Sequence, residues 1–187
     1  VRDIFESEKF INRECRLMGL NNFQIVTLDE ATKGQAETVY IGINKIDIRE
    51  EENILVFNID TIRRNFSIPS NILSYDGYLE VFEGSGMNWS YVEPLNNTSR
   101  RVKRTAEKVE ISNLCSTGLY FFNSQKHFIQ AYEKEKDSSG ELYVAPLYNS
   151  LIADGQNVFY HLINKEDVIF TGTPNEYMNF IQSKVGM

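Results

Sequence analysis

The sequence lacks any apolar run approaching the roughly 18 residues that a membrane-crossing helix needs, and it shows no signal-peptide pattern. No membrane partner and a cytoplasmic location are expected. Cysteine is scarce: Cys15 and Cys115 lie far apart, without metal-ligand spacing, and suit a reducing compartment. The sequons Asn65-Phe66-Ser67 and Asn88-Trp89-Ser90 are then coincidental. Basic charge is also short. Lys and Arg total 19 against 26 Asp and Glu, a formal charge of −7, which argues against a nucleic-acid partner. The cluster Arg100-Arg101-Val102-Lys103-Arg104 is local and suits a small anion or a solvated edge. Only two histidines occur, His127 and His161, with no zinc spacing, and both read as structural or surface residues. No serine sits in a nucleophile elbow and no Cys–His pairing is visible, so triad chemistry has no candidates.

What remains is an ordinary globular composition: 187 residues, 42% hydrophobic and 24% charged. That length supports one domain with a sizeable core. No internal repeat or long linker divides it, so residues 1–187 are expected to form a single domain.

The pattern turns on Asn53-Ile54-Leu55-Val56-Phe57-Asn58-Ile59-Asp60. An unbroken apolar run over 54–57 reads as a strand buried on both faces of a parallel sheet. Asp60 falls at its carboxyl end, where open α/β sheets bind ligands. It is either a hard oxygen ligand for Mg²⁺ or a cap for the next turn. Upstream, periodicity predicts a helix over 6–17 stopped at Gly19, a strand over 23–28 and a helix over 34–46. Strand, helix and strand in succession predict a parallel βαβ unit.

Downstream, short strands are expected at 78–82, 89–92 and 101–105, with a turn at Gly84-Ser85-Gly86. A long strand over 114–122 carries Gly118 inside it, which predicts close approach of a ligand or another backbone. Helices follow at 126–136 and at 141–153, the second with Pro146 in its first turn. Strands at 157–163 and 167–170 precede a closing helix at 174–182, with Thr173 as N-cap and Pro174 first in the helix. Glu107-Lys108 is a solvated pair on its own. Placed over strand ends, the ammonium would meet a phosphate as a point charge.

Four segments together resemble one family. Ala31-Thr32-Lys33-Gly34-Gln35-Ala36-Glu37-Thr38-Val39 looks like the base-recognition loop and helix of sugar-phosphate nucleotidyltransferases, the nucleoside-diphosphate-sugar pyrophosphorylases. Asn58-Ile59-Asp60 looks like their metal-binding strand end. Glu107-Lys108-Val109-Glu110-Ile111-Ser112 with Ser116-Thr117-Gly118-Leu119-Tyr120-Phe121-Phe122 resembles their central segment. Phe170-Thr171-Gly172-Thr173-Pro174-Asn175-Glu176-Tyr177 resembles their closing turn and helix. The likeness is strongest to the capsular or surface-polysaccharide branch and is similar to glucose-1-phosphate thymidylyltransferase.

The resemblance implies a Rossmann-like nucleotidyltransferase (GT-A-like) α/β fold with a mixed, mostly parallel sheet flanked by helices. It implies an NTP and a sugar phosphate as substrates, an NDP-sugar and pyrophosphate as products, and Mg²⁺ as cofactor. Asp60 would hold the metal. Gly34, Gln35 and Asn58 would form the nucleotide side: Gly34 would let the base approach the backbone, and Gln35 would bond its edge. Glu107 would bind sugar hydroxyls, Lys108 the sugar phosphate, and Thr117 and Gly118 would line the sugar side. Asp60 and Lys108 are thus the catalytic candidates. Oligomeric state stays open, with a homo-oligomer as one expectation.

Two departures accompany the likeness. The family's opening strand and Gly-rich loop have no counterpart in this sequence. Phe170 stands where the family often has a second metal-binding aspartate. Two alternatives therefore remain: an inactive nucleotide-sugar-binding or regulatory domain, and a GT-A glycosyltransferase with Asn58-x-Asp60 as a weakened DxD site.

Overall fold

The computed structural model describes residues 1, 4–46 and 48–185. A six-stranded sheet is organised on β6 (Leu114–Phe122), all nine of whose residues are buried. One edge of β6 pairs along its length with β3 (Gly77–Glu83), from Gly77 opposite Phe122 to Glu83 opposite Leu114. The other edge is shared end to end. β4 (Ser90–Pro94) meets it at Cys115, and β1 (Ile54–Phe57) takes Leu119 to Phe122. β5 (Val102–Glu107) extends the sheet beyond β4, and β7 (Val158–Leu162) extends it beyond β3. A separate ribbon joins β2 (Thr61–Arg63) to β8 (Val168–Phe170).

The sheet is mixed, as expected, but its balance differs from the expectation of mostly parallel pairing. Among the described residues only β3 and β7 run parallel. The unit expected to supply parallel strands is not formed. Residues 23–28 make no ladder; they are held by Val1 instead, with Leu28 N–H donating to the Val1 carbonyl at 2.7 Å. A strand needs a neighbouring strand for its backbone groups, and among the described residues only the backbone of Val1 bonds there. Among the described residues β1 likewise pairs on one side alone, with β6. Ile54 and Val56 are buried while Leu55 and Phe57 remain 44% and 43% exposed. Four consecutive apolar residues do not distinguish one covered face from two.

Helices cover one face. α2 (Gln35–Lys45), α3 (Gln125–Glu135) and α4 (Tyr148–Ala153) pack over Phe122, Phe128 and Tyr148. Phe122 stacks on Tyr148 at 4.5 Å and meets Phe128 edge-on at 5.1 Å. Each such ring contributes on the order of 1.5–3 kcal/mol by burial. The Tyr148 hydroxyl lies close to the carbonyls of Phe121, at 2.8 Å, and Tyr78, at 3.0 Å, which satisfies its one buried polar atom. The helix expected over 141–153 is shorter than its pattern. A 3₁₀ turn at Ala145–Leu147, with Pro146 inside it, precedes α4, and residues 141–143 stay irregular. α1 (Ser7–Leu17) and α5 (Pro174–Val185) form where expected.

Candidate active site

Gly118 sits mid-strand in β6 at φ +88°, a left-handed conformation that favours glycine. Asn58, just past the end of β1, occupies the space above it: a Cβ on Gly118 would lie 2.6 Å from Asn58 Cγ. The close approach expected at Gly118 is therefore made by a side chain. The Asn58 amide oxygen in turn accepts from Gln35 Nε2 at the start of α2. Gly34, the N-cap of α2, faces Leu142, and a Cβ there would fall 2.7 Å from the Leu142 nitrogen. Leu142 pairs with both sides of that loop, donating to the Lys33 carbonyl at 3.0 Å and accepting from Ala36 N–H at 2.9 Å.

Asp60 precedes β2, and its position is fixed by the turn after β8. Thr171 donates to the Asp60 carbonyl from its backbone at 2.8 Å and its hydroxyl at 2.9 Å. Gly172 clears the carboxylate, since a Cβ would stand 2.6 Å from Asp60 Oδ2. Thr173 and Glu176 then form a reciprocal cap for α5, with Thr173 N–H donating to Glu176 at 2.9 Å and Glu176 N–H to Thr173 at 3.3 Å. Phe170 packs on Trp89 at 4.5 Å and on Phe82 at 5.3 Å, forming an aromatic wall beside Asp60. Behind the wall, Arg63 of β2 grips Glu80 of β3 with two donors, at 2.6 and 3.0 Å, and Thr117 donates to the same carboxylate at 3.0 Å.

β5 carries Glu107 to the opposite side of the cleft. Asn149 on α4 brackets Thr105, accepting from its N–H at 2.8 Å and donating to its carbonyl at 3.0 Å, so the end of β5 is held from both sides. Burial pushes the Glu107 carboxyl up, opposed by the Ser90 hydroxyl that donates to it and by nearby Lys108. Lys108 follows at φ +55°, and its ammonium donates to the Tyr143 hydroxyl while lying 4.7 Å from that ring's centre. Tyr143 donates onward to Glu141. The Tyr143 contact raises the ammonium above its ordinary range, and the Glu141 contact raises the phenol.

These elements enclose one cleft of about 550 Å³. Gln35, Asn58, Asp60, Glu107, Lys108, Thr117 and Gly118 all line it, and Gly34 lies behind Gln35. Sequence reasoning missed Ser90, Trp89, Glu141 and Tyr143, which line it as well. Glu141 and Tyr143 were hidden in a stretch that reads as a helix start. A larger concavity of about 710 Å³ beside α1 is lined from that one helix and its cap alone, and gathers no second element. The basic cluster at 100–104 is a solvated edge: exposed Lys103 and Arg104 pair with half-buried Glu93.

The fold matches solved structures closely. A nucleoside-diphosphate-sugar pyrophosphorylase from Vibrio cholerae RC9 is 44% identical, with TM-score 0.91, over 97% of this chain and 78% of that one. The chain belongs to the nucleoside-diphosphate-sugar pyrophosphorylase family. More distant pyrophosphorylases and transferases share the fold alone. A UDP-glucose pyrophosphorylase complexed with UDP-glucose superposes with TM-score 0.71 at 16% identity, over 94% of this chain and 73% of that one. The inositol-1-phosphate CTP transferase from T. maritima gives 0.67 at 14%, over 95% and 72%. No family model and no curated protein matches the sequence. Within this pyrophosphorylase fold, no described helix is long and apolar enough to cross a membrane.

Proposed function

We propose that this chain joins a sugar phosphate to a nucleotide. A phosphate oxygen of the sugar phosphate attacks the α-phosphorus of an NTP. The new P–O bond forms as the α–β anhydride bond breaks, and the electron pair leaves with pyrophosphate. Such transfers rest on positioning and on stabilising charge at phosphate oxygens. The observation that carries this reading is the single cleft with Gln35 and Asn58 at one end, Asp60 beside them, and Glu107 with Lys108 across from them.

Gln35 would bond the base edge. Asn58, held by Gln35 and seated over Gly118, would shape the nucleotide side. Glu107 would accept from sugar hydroxyls, and Thr117 and Gly118 would floor the sugar. Lys108 would hold the sugar phosphate. Asp60 opens on the cleft, and among the described residues no three His, Cys, Asp or Glu side chains cluster there. A lone carboxylate fits Mg²⁺, which is commonly held by one or two carboxylates plus substrate phosphates. When bound, Mg²⁺ would neutralise charge on phosphate oxygens, and Asp60 would be its protein ligand. The two free cysteines suit the cytosol. The sequence likeness to the surface-polysaccharide branch supports an NDP-sugar destined for a polysaccharide.

The test is pyrophosphate release from the four NTPs and dTTP with a panel of hexose 1-phosphates, with Mg²⁺ and without. Release that needs both substrates is expected. Binding of an NDP-sugar with no pyrophosphate release from any pair would overturn the reading in favour of a binding domain.

A further inference from the structure

The ammonium of Lys108 is already engaged at the cleft wall. It donates to the Tyr143 hydroxyl, which donates to the Glu141 carboxylate, and Glu141 Oε2 stands 3.9 Å from Lys108 Nζ. The three groups differ in how firmly they are held. Tyr143 lies between two buried anchors, Leu142 and Val144. Leu142 is also clamped by backbone bonds to Lys33 and Ala36 at the nucleotide loop. Lys108 is anchored at its backbone, where its N–H donates to the Trp89 carbonyl at 2.9 Å, and its half-exposed side chain is held at the ammonium alone. A mobile ammonium with three donors can give one to Tyr143 and keep the others for an anion. The phenol therefore limits where the charge can stand without consuming it. Glu141 acts in the opposite sense, because its carboxylate, 3.9 Å from the same ammonium, carries negative charge that a phosphate would have to compete with.

We propose that Tyr143 is a positioning residue for Lys108 and that Glu141 is a counter-charge which an incoming sugar phosphate must displace from it. The proposal rests on the reading of Lys108 as the phosphate-binding group. It predicts effects of opposite sign from two side chains that sit next to each other in one hydrogen-bonded chain. Removing the phenol oxygen loosens the ammonium and weakens phosphate binding. Removing the carboxylate charge frees the ammonium and strengthens it. A structural role for the segment would move both variants the same way, toward weaker binding.

The experiment is calorimetric titration of glucose 1-phosphate, glucose and NTP into wild type, Tyr143→Phe, Glu141→Gln and Lys108→Ala, with melting curves to confirm folding. Tyr143→Phe keeps the ring and so its packing. It should weaken glucose 1-phosphate by roughly threefold to tenfold, the worth of one hydrogen bond. Glu141→Gln should tighten it by about twofold to fivefold, an effect that shrinks as salt is raised. NTP affinity should stay within about twofold for both, the size of a surface change. If wild type does not prefer glucose 1-phosphate to glucose, or Lys108→Ala keeps that preference, the phosphate role fails and this proposal with it. If Lys108→Ala abolishes the preference but the other two variants shift together, or either does not shift, the role of Tyr143 and Glu141 alone is wrong.

Discussion

Asn58 stands in the place where Gly118 would carry a Cβ, with its Cγ 2.6 Å from that point. Gly118 lies in β6 and Asn58 follows directly on its antiparallel neighbour β1, so the absence of one side chain makes room for the other. Asn58 is thereby presented to Gln35 at the same end of the cleft.

Gly118→Ala should therefore destabilise the protein. The φ of +88° alone should cost about 1–3 kcal/mol. Pairing it with Asn58→Ala should recover the steric part of the loss and leave the backbone part. Urea denaturation of both variants measures this. A fully stable Gly118→Ala protein would contradict the contact.

Asp60→Asn should reduce Mg²⁺-dependent pyrophosphate release by at least about a hundredfold, since a metal-borne charge is worth several kcal/mol at the transition state. The turn at Thr171 binds the Asp60 backbone, so folding should survive. Activity with an unchanged Mg²⁺ response would make Asp60 a cap.

Arg63 and Glu80 are nearly sealed, with side chains 6% and 1% exposed, and the pair ties the β2–β8 ribbon to the main sheet. Arg63→Met should cost about 3–5 kcal/mol, because it strands a buried carboxylate. Arg63→Met with Glu80→Leu should cost clearly less than the single change. A loss in the double variant as large as in the single, read from denaturation midpoints, would show that the stranded Glu80 carboxylate is not what destabilises Arg63→Met.

Glu107 provides a pH signature. Burial raises its carboxyl above the ordinary value, so the folded state holds a proton more tightly than the unfolded one. Its contribution to stability is then full below the unfolded pKa of about 4.3 and is lost as pH rises through the higher folded value. Glu107→Gln has no proton to lose. The melting temperature of the variant minus that of wild type should grow as pH rises from about 4 and flatten once Glu107 is ionised. A difference that shrinks with rising pH would reverse the assignment.

Local information sufficed for much of this molecule. The nine-residue run of β6 and the Thr173-Pro174 start of α5 were legible because they depend on side-chain period, caps and chain stiffness. The residue types at 34–35, 58–60, 107–108 and 116–118 also carried the resemblance to the family. Tertiary structure decided the rest. Residues 23–28 have strand composition but pair their backbone with Val1 and with no second strand among the described residues, and pairing is not a property of one segment. Ile54 to Phe57 is an edge strand because only one flank, β6, is supplied by the described residues. Tyr143 reaches Lys108 across 35 positions of sequence. Such a contact follows from how β5 and the segment before α4 pack, and spacing along the chain does not encode it.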